Sequence, residues 1–499
     1  HEAEKLTAGD LRRSFARRYD AAWGRPAAPR LGREGILVLL LVIAVWAAAS
    51  LPNLSTRSFI YEEGRNAAMA KDIVQRGHWL EPEIYGERWA EKPTLLSWTT
   101  VLIAPLTGGV NEWSARWPVM LSVLLTALLI QRLTRRYASL GASLFAAGSF
   151  LFCSLLLQKL IIAEPDTVVT ALSFAAFYVW WDGEEKGRVG PARWIACALI
   201  VTLLSLAKGP QPAGFFVFGV GVYILLRRRW EQIWGIALTA ALPALVNIAW
   251  AAAVYQPRDQ YNWLRYMRMD GHGSAANYLY ERARFIIQLA LEWLPTTLLL
   301  PFLATRRWRQ SVPLLSLPVV FPLLCYACTG MALLLVWPGT GSRYAMPLTP
   351  AVCVLAAFIA QELWRRRHWL GYLTSGMLGA LVLYQLLLTS IGVPIFADQF
   401  GLSRATGQMI TRAIQADPAP VYCLPPCDPT RLFYVEGPIV SLPIPDFPKV
   451  KPPAWLLTTR DVLPFFVRRR PDIDARVTVE RPEDPRAIAV HLLPKSTTP

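Results

Sequence analysis

Carboxylates interrupt otherwise apolar sequence at two separate places in this 499-residue chain. Glu62 and Glu63 follow the first long apolar run, and Glu164 and Asp166 flank Pro165 between two later runs. Charges near a membrane are unfavourable unless they are paired or hydrated, so they commonly mark a functional site. A carboxylate beside a reacting carbon suits a general base that takes a proton from a hydroxyl group. These four carboxylates are therefore candidate catalytic residues.

Basic and aromatic residues accompany the carboxylates in the segments that connect apolar runs. They are Arg65, Lys92, Lys208, Arg343 and Tyr344. Cations beside an apolar groove suit the phosphate of a lipid, because they compensate its charge while its chain lies against the membrane helices. No glycine-rich nucleotide-binding pattern is visible in the sequence. The pattern favours a substrate that is already linked to a lipid.

Each of these residues also has an ordinary structural explanation. The first acidic pair fits solvated residues or helix caps, and the second pair, beside a proline, fits a helix end. Lys208 suits a lysine that extends to the membrane surface, and Arg343 suits an interface anchor. His78 and His272 fit polar loop residues better than metal ligands, because no second histidine lies at ligand spacing. The predicted location of the whole set on one membrane face favours a functional site.

The composition indicates what kind of elements hold these residues. The chain is 54% hydrophobic and only 17% charged, and it contains 20 Trp. It is too apolar for an ordinary soluble protein of this length. Seven cysteines in 499 residues also exclude a disulfide framework. A mainly helical, polytopic membrane protein is the class that fits.

Long apolar runs set the expected helices. About eleven runs are long enough to cross a membrane, which needs roughly 20 residues. They cover approximately 36–52, 115–131, 138–157, 165–181, 192–207, 211–226, 232–255, 284–304, 312–337, 345–364 and 369–391. A shorter stretch from Thr94 to Leu106 is expected to form an interfacial or re-entrant helix. The predicted fold therefore has about 11–13 membrane helices.

Basic clusters set the expected orientation, because short cytoplasmic loops accumulate Lys and Arg. Of 51 basic residues, 23 fall in residues 1–34 and in five short clusters separated by even numbers of runs. These clusters contain Arg132, Arg135, Arg136, Lys186, Arg188, Arg193, Arg227, Arg228, Arg229, Arg306, Arg307, Arg309, Arg365, Arg366 and Arg367. We expect a cytoplasmic N-terminus, a first span that acts as the insertion signal and an outer C-terminus. The net charge of +16 then requires no nucleic-acid partner.

The loop of residues 53–114 is expected on the outer face, between the first two spans. Residues 63–76 have helical composition, and Gly77 is expected to end the helix. Glu62 and Glu63 would then stand at a helix N-terminus, where the helix dipole favours an ionised carboxylate. Other outer loops, including residues 256–283, carry further charges toward the same face. The predicted site is therefore assembled from several loop tips.

The order of these motifs resembles the GT-C glycosyltransferases. An acidic pair with Gly-Arg is followed by Glu-Lys-Pro, Ala-Glu-Pro-Asp, Leu-Ala-Lys-Gly-Pro and Gly-Ser-Arg-Tyr, with Pro347 after the last. Within that group the chain is similar to bacterial members of the protein-mannosyltransferase and lipid A aminoarabinose-transferase superfamily. The resemblance covers roughly residues 35–395. It implies a membrane catalytic domain over that range, after a basic cytoplasmic segment of residues 1–34.

The resemblance also implies roles for particular residues. The family's acidic pair is Asp-Glu, so Glu62 matches the proposed base and Glu63 its neighbour, while Glu164-Pro165 matches a second acidic position. Both departures replace Asp by Glu, which leaves the choice of base open between Glu62, Glu164 and Asp166. The five basic and aromatic residues match the cavity that binds the donor phosphate, with Lys92 at the phosphate.

Loop-organising residues and cofactors complete what the resemblance implies. Glu91 matches a residue that organises the first outer loop, sometimes with a metal, and His272 is a second candidate for such a role. No histidine matches a ligand position, so we expect a metal-independent mechanism; a divalent cation stays open. No metal ligand is assigned.

The expected function is that of a membrane transferase at the periplasmic face of the bacterial inner membrane. The donor would be a sugar on undecaprenyl or decaprenyl phosphate, and the acceptor lipid A, lipopolysaccharide, another glycan or protein. A single displacement on the face opposite the phosphate predicts inversion. A polytopic transporter or lipid flippase is the alternative, although transporters usually place charges near mid-membrane and show internal repeats. A non-catalytic scaffold would not need convergent charges.

The last segment, residues 396–499, has a different composition, with frequent Pro and no long apolar run. Short alternating stretches predict strands at 421–424, 454–457, 476–479 and 488–492, with helices at 403–416, 429–435 and 459–469. We therefore expect a small α/β domain at the periplasmic face, which either covers the cavity, meets the acceptor or only stabilises the protein. Cys423 and Cys427 form either a disulfide or two free thiols.

Overall fold

Helices dominate the structure, and one small mixed sheet lies near the C-terminus. The computed structural model describes residues 33–157, 159–257, 275–304, 312–337, 340–425, 427–481, 483–484 and 487–495. The predicted mainly helical architecture with a small C-terminal α/β domain is confirmed. The first predicted segment, residues 1–34, lies almost wholly outside the described residues.

Nineteen α-helices are numbered here in chain order within the described residues. They are α1 Arg33–Ser50, α2 Glu63–Arg76, α3 Leu95–Ile103, α4 Glu112–Arg135, α5 Leu140–Phe152, α6 Ser154–Leu157, α7 Asp166–Glu185, α8 Pro191–Lys208, α9 Ala213–Leu226, α10 Ile233–Val254, α11 Ala275–Glu292, α12 Val320–Val336, α13 Thr349–Arg365, α14 Trp369–Leu387, α15 Val393–Ile395, α16 Ala397–Phe400, α17 Leu402–Ala416, α18 Pro429–Leu432 and α19 Leu463–Arg469. Short 3₁₀ segments extend several of them, including Ala104–Leu106, Thr296–Leu303 and Ser342–Leu348.

Every predicted apolar run contains helix. Within the described residues, five helices are long and apolar enough to cross a membrane, and a sixth candidate is the pair Asn277–Glu292 and Thr296–Leu303, bent by 115°. Five shorter apolar helices occupy other predicted runs: Glu34–Ser50, Leu95–Leu106, Leu140–Phe152, Ala213–Leu226 and Val320–Val336. The run at 138–157 is interrupted where Cys153 has an extended backbone.

The helices differ in how they meet their surroundings. Helix α13 is buried along almost its whole length and forms the centre of the apolar core. Helices α10 and α14 leave most of their apolar residues on the outside of the bundle. Helix α4 begins with a capping box, in which the Asn111 side chain accepts from the N–H of Ser114 and the Ser114 hydroxyl accepts from the N–H of Asn111.

Helix α7 connects the two ends of the bundle. Asp166 lies in its first turn and Asp182 in its last, about 24 Å apart along the axis at 1.5 Å per residue. Near the latter end, Asp182 pairs with Arg136 and Arg193, and Glu184 pairs with Arg229. Three of the predicted basic clusters therefore meet at the end of the bundle away from Asp166.

The C-terminal domain is built on a five-stranded sheet. Its strands are β3 Val421–Cys423, β4 Ile439–Ser441, β5 Ala454–Thr458, β6 Ile473–Val479 and β7 Ile488–Pro494, in the order β4-β3-β5-β7-β6. Strand β3 is parallel to β4 and β5, whereas β7 is antiparallel to β5 and β6. A separate two-stranded hairpin, β1 Glu83–Ile84 and β2 Glu87–Arg88, lies in the first loop.

One strand of this domain was not predicted, and three predicted elements have different bounds. Strand β4 was not predicted, because its three residues lie between prolines without a clear alternation. Helix α18 ends at Leu432, β6 begins at Ile473, and α19 begins at Leu463. The open question about the cysteines is answered by a disulfide between Cys423 and Cys427.

Candidate active site

A pocket lies beside the N-terminal half of α2, and it is called the first cavity below. It brings together three predicted site residues, Glu62, Arg65 and Lys92. Its other lining residues are Asn66, Met69, Trp89, Pro93, Thr94, Leu96, Pro165 and Ala207. Helices α2, α3 and α8 and the turn before α7 therefore all contribute to its walls.

Glu62 stands at the N-cap of α2, as the sequence predicts. The helix runs from Glu63 to Arg76, and Gly77 ends it in a left-handed conformation with φ of 75°. The Glu62 side chain makes no capping hydrogen bond and is half-buried at the cavity wall. The preceding Tyr61 has a φ of 48°, which is unusual for a bulky residue. The chain therefore turns sharply just before it presents the Glu62 carboxylate.

Glu63 is completely buried and fully engaged. Its carboxylate accepts from Arg116 Nε at 2.9 Å and Nη2 at 3.1 Å, and from Arg57 Nη1 at 3.1 Å. Backbone N–H groups of Ile60 and Ala163 donate to it at 3.0 and 2.8 Å. Burial by itself raises the pKa of Glu63, but the two guanidinium groups and the hydrogen bonds hold it below its ordinary value. This geometry fixes the start of α2 and leaves no oxygen turned toward the cavity.

Among the described residues, two half-buried cations and two buried hydrogen-bond donors of the first cavity lack an ion pair or a hydrogen bond. Arg65 lies 4.6 Å from the centroid of the Trp89 ring, and neither Arg65 nor Lys92 has a carboxylate partner among the described residues. The indole N–H of Trp89 and the hydroxyl of Thr94 are buried without a hydrogen bond in the same part of the chain. Buried donors are normally satisfied, so this cavity suits a polar, negatively charged ligand.

The second acidic pair is already neutralised. Glu164 and Asp166 are buried; Lys159 donates to Glu164, and Lys208 donates to Asp166. Each lysine therefore offsets one carboxylate close to the wall formed by Pro165. This arrangement differs from Glu62, whose carboxylate has no such partner in the described structure.

Arg343 and Tyr344 join this second pair from the start of the segment that contains α13. Arg343 Nη1 lies 4.0 Å from a Glu164 oxygen. The Tyr344 ring centroid is 4.2 Å from Lys208 Nζ and 5.3 Å from the Arg343 guanidinium. Glu62 also interacts electrostatically with Arg343. The predicted basic residues therefore form one group adjoining the first cavity, although Lys208, Arg343 and Tyr344 do not line it.

The predicted loop-organising residues are less well placed. Glu91 is half-buried next to Lys92 but is not a lining residue of the cavity. His272 lies outside the described residues. Asp72, His78 and Glu83 are residue types that bind metal ions, and one possible ligand atom of each lies within 4.8 Å of the others. Arg76 lies 2.8 Å from Glu83 and 3.7 Å from Asp72, so one cation already offsets part of the negative charge of this group.

Sequence reasoning assigned no role to three residues of the site: Arg57, Arg116 and Lys159. Arg116 is completely buried and also donates to the backbone carbonyls of Leu54, Arg57 and Ser58. A signal was present, because Arg116 is an arginine at the edge of a predicted membrane span. Its partner Glu63 is 53 residues away, which no local pattern reveals.

Parts of this chain match known proteins in sequence. Residues 91–252 match the dolichyl-phosphate-mannose-protein mannosyltransferase family. The chain is 27% identical over 316 residues to the undecaprenyl phosphate-alpha-4-amino-4-deoxy-L-arabinose arabinosyl transferase of Edwardsiella ictaluri, covering 60% of this chain and 55% of that protein. It is 26% identical over 336 residues to the protein of that name in Pseudomonas aeruginosa PAO1, covering 65% and 60%. The matches thus span a little over half of these relatives.

A solved structure shows the same fold. The crystal structure of ArnT from Cupriavidus metallidurans bound to undecaprenyl phosphate superposes with a TM-score of 0.68 at 18% identity, covering 92% of this chain and 98% of that one. The apo form of that protein gives a TM-score of 0.65 at 17% identity, covering 91% and 97%. The resemblance to GT-C glycosyltransferases of the aminoarabinose-transferase kind, predicted from the sequence motifs, is confirmed.

Proposed function

We propose that this chain, which is similar in fold and sequence to GT-C glycosyltransferases, transfers a sugar from a polyprenyl phosphate to a cell-envelope acceptor. The observation that carries the proposal is the first cavity, where Glu62 faces the unpaired cations Arg65 and Lys92 and two buried donors without partners. Undecaprenyl phosphate, named for the relatives and for the solved structure, is the donor carrier that we assign. The acceptor is a lipid or a glycan.

The reaction follows from the positions of the two kinds of charge. Glu62 takes the proton of an acceptor hydroxyl, and the hydroxyl oxygen forms a bond to the anomeric carbon of the donor sugar. The bond from that carbon to the phosphate oxygen breaks, and its electron pair leaves with polyprenyl phosphate. Arg65 and Lys92 stabilise the charge that grows on the phosphate. Attack opposite the leaving group inverts the anomeric centre.

The remaining carboxylates receive positioning roles in this proposal. Glu63 holds the first turn of α2 and so orients Glu62. Glu164 and Asp166 hold Lys159 and Lys208, which keeps positive charge next to the departing phosphate. Glu62 is the preferred base because it is the carboxylate of these four that lines the cavity without an ion pair in the described structure.

The proposal also covers the need for a metal ion and the orientation of the protein in the membrane. Side-chain cations supply the charge stabilisation, so the proposed step requires no metal ion. We place the first cavity and the C-terminal domain, residues 396–499, on the periplasmic side of the bacterial inner membrane, and the N-terminus in the cytoplasm. The meeting of three basic clusters at the opposite end of α7 supports this orientation.

A donor-cleavage assay tests the proposal. Purified protein given a radiolabelled undecaprenyl-phosphate sugar and envelope lipids should release undecaprenyl phosphate, and Glu62→Gln should abolish the release without lowering the unfolding temperature. Glu231→Gln, an exposed carboxylate beside Arg229, is the matched control and should stay active. An active Glu62→Gln variant would exclude Glu62 as the base.

Envelope analysis of a deletion strain tests the biological role. Mass spectrometry of its lipids and glycans should show one sugar missing, which also identifies the acceptor. An unchanged envelope together with altered solute uptake would instead favour the transporter or flippase alternative.

A further inference from the structure

Arg343 is carried by a short segment between two membrane helices. It follows Ser342 at the start of the 3₁₀ segment Ser342–Leu348, which connects α12 to α13. Its guanidinium group is partly exposed and lies 4.0 Å from Glu164, which is too far for a hydrogen bond to fix it. It also interacts electrostatically with Glu62, the proposed base. The location of this charge therefore depends on how the backbone of the segment is held.

Helix α11 holds this segment from the side. Its Tyr278 hydroxyl donates to the backbone carbonyl of Leu335, near the end of α12, at 2.6 Å. Farther along α11, the amide nitrogen of Gln288 donates to the Ser342 hydroxyl at 3.1 Å. In the described part of the chain, no other side chain from outside the segment is hydrogen-bonded to residues 341–346. Gln288 is therefore the side-chain anchor of the backbone that precedes Arg343.

Glu292 determines which end of the Gln288 amide faces the segment. One helix turn farther along α11, its carboxylate accepts from the same Gln288 nitrogen at 2.8 Å. A carboxylate oxygen accepts hydrogen bonds, so this contact selects the NH₂ end of the amide. The second hydrogen of that NH₂ group then reaches the Ser342 hydroxyl. An apolar residue at position 292 would let the amide rotate and present its oxygen to Ser342 instead.

Glu292 occupies an unfavourable position for an acidic side chain. It exposes only 9% of its surface, and its Oε2 oxygen has neither a hydrogen bond nor an ion pair within the described residues. It is also the last residue of α11, where the helix dipole disfavours negative charge. The following helical segment, Thr296–Leu303, is bent from α11 by 115°. An unpaired acid buried in a membrane domain lowers stability, so its presence indicates a role in function.

We propose that Glu292 and Gln288 are positioning residues for the transfer reaction. Glu292 orients the Gln288 amide, and Gln288 fixes Ser342. The backbone after Ser342 carries Arg343, whose positive charge then lies beside the departing phosphate. The inference rests on the transferase function proposed above. Neither positioning residue lines the first cavity, so both act on the reaction through Arg343.

Steady-state kinetics of donor cleavage test this role on the full chain in lipid nanodiscs. Complete loss of one group that stabilises the leaving charge costs about a hundredfold in rate, and a displaced group retains part of its effect. Glu292→Met and Gln288→Met should therefore lower kcat roughly tenfold and leave the donor KM unchanged. Glu292→Gln keeps an oxygen that accepts from Gln288, so it should keep most of the activity.

Thermal unfolding and a matched control separate positioning from folding. Glu292→Met should keep or raise the unfolding temperature, because it removes an unpaired buried acid. Tyr278→Phe removes another hydrogen bond of α11 and should lower the unfolding temperature without changing kcat.

A double-mutant cycle tests whether the effect passes through Arg343. In an Arg343→Ala background, Gln288→Met should cause no further loss of kcat, because the residue through which it acts is gone. Wild-type kcat in both methionine variants, or an undiminished effect in the Arg343→Ala background, would overturn the proposal. A loss in Glu292→Gln as large as in Glu292→Met would do the same, because the charge rather than the hydrogen bond would then matter.

Hydrogen exchange followed by mass spectrometry gives a measurement besides activity. Peptides that cover residues 341–346 should exchange faster in Glu292→Met and Gln288→Met than in the wild type or in Tyr278→Phe. Unchanged exchange of these peptides, in a wild type that cleaves donor, would refute the positioning role alone. Absence of donor cleavage by the wild type would refute the transferase function, and this role with it, whatever the exchange.

Discussion

Replacing Glu63 by glutamine should destabilise the first loop and disable the site together. The carboxylate is completely buried and accepts from both Arg57 and Arg116. Glutamine keeps the shape but removes the charge, and its amide group would point hydrogen atoms at a guanidinium group. Breaking a buried ion pair from one side typically costs about 3–5 kcal/mol. We therefore expect an unfolding free energy lower by about that amount.

The assay compares thermal unfolding of the two proteins in nanodiscs as a function of pH. The folded-state pKa of Glu63 lies below its ordinary value of 4.5, so its stabilising effect is complete above that value. It is lost as the pH falls through the folded-state pKa. The unfolding temperatures of wild type and Glu63→Gln should differ by several degrees near pH 7 and converge in acid.

A double-mutant cycle with Arg116→Met tests whether the two side chains act as a unit. The combined variant should lose less stability than the two single variants together. Each single change leaves the other charge buried without its partner, and that cost is absent when both charges are removed. Glu231→Gln provides the surface control. An unchanged unfolding temperature in Glu63→Gln, with unchanged donor cleavage, would refute the positioning role.

Three further predictions concern the cavity and its attachment to the C-terminal domain. Lys92→Ala should slow donor cleavage about a hundredfold if it stabilises the leaving phosphate as one oxyanion donor does, and a loss confined to KM would argue against that role. Gly64→Ala should lower the free energy of unfolding by about 1–3 kcal/mol, since the added carbon would lie 2.6 Å from the Thr430 backbone. A variant with wild-type thermal unfolding would show that the backbone at Thr430 can move to accept the added carbon. Tyr434→Phe removes a 2.6 Å hydrogen bond to Glu112 and should cost about 1.5–3 kcal/mol, measured in the same way and contradicted by wild-type stability.

The sequence predicted the elements that depend on local pattern. Glycine at position 77 ends a helix because it takes a positive φ without strain, and this placed the end of α2 correctly. Apolar runs of membrane length became helices for a similarly direct reason. Strand β4 was missed because three residues between prolines carry too little alternation, and its pairing with β3 is a tertiary contact.

The sequence predicted most residues of the candidate site but not which role each carboxylate has. Glu62 and Glu63 are adjacent and chemically identical, so no sequence pattern separates them. The folded backbone points their side chains in different directions. Glu62 lines the first cavity, whereas Glu63 contacts Arg116. The role of Lys159 could not be assigned from the sequence, since its partner Glu164 follows after a turn whose shape decides the contact.

The attachment of the C-terminal domain to the first loop sets an order of assembly. Glu112 belongs to the early part of the chain, yet its partners Arg404 and Tyr434 follow 292 and 322 residues later. At translation rates of about 5–20 residues per second, the ribosome needs roughly 15 to 60 seconds to supply them. During that interval Glu112 and the start of α2 lack the C-terminal residues that pack against them in the folded protein. The transfer site is therefore among the last parts of the molecule to mature, although its proposed base is synthesised well before these partners.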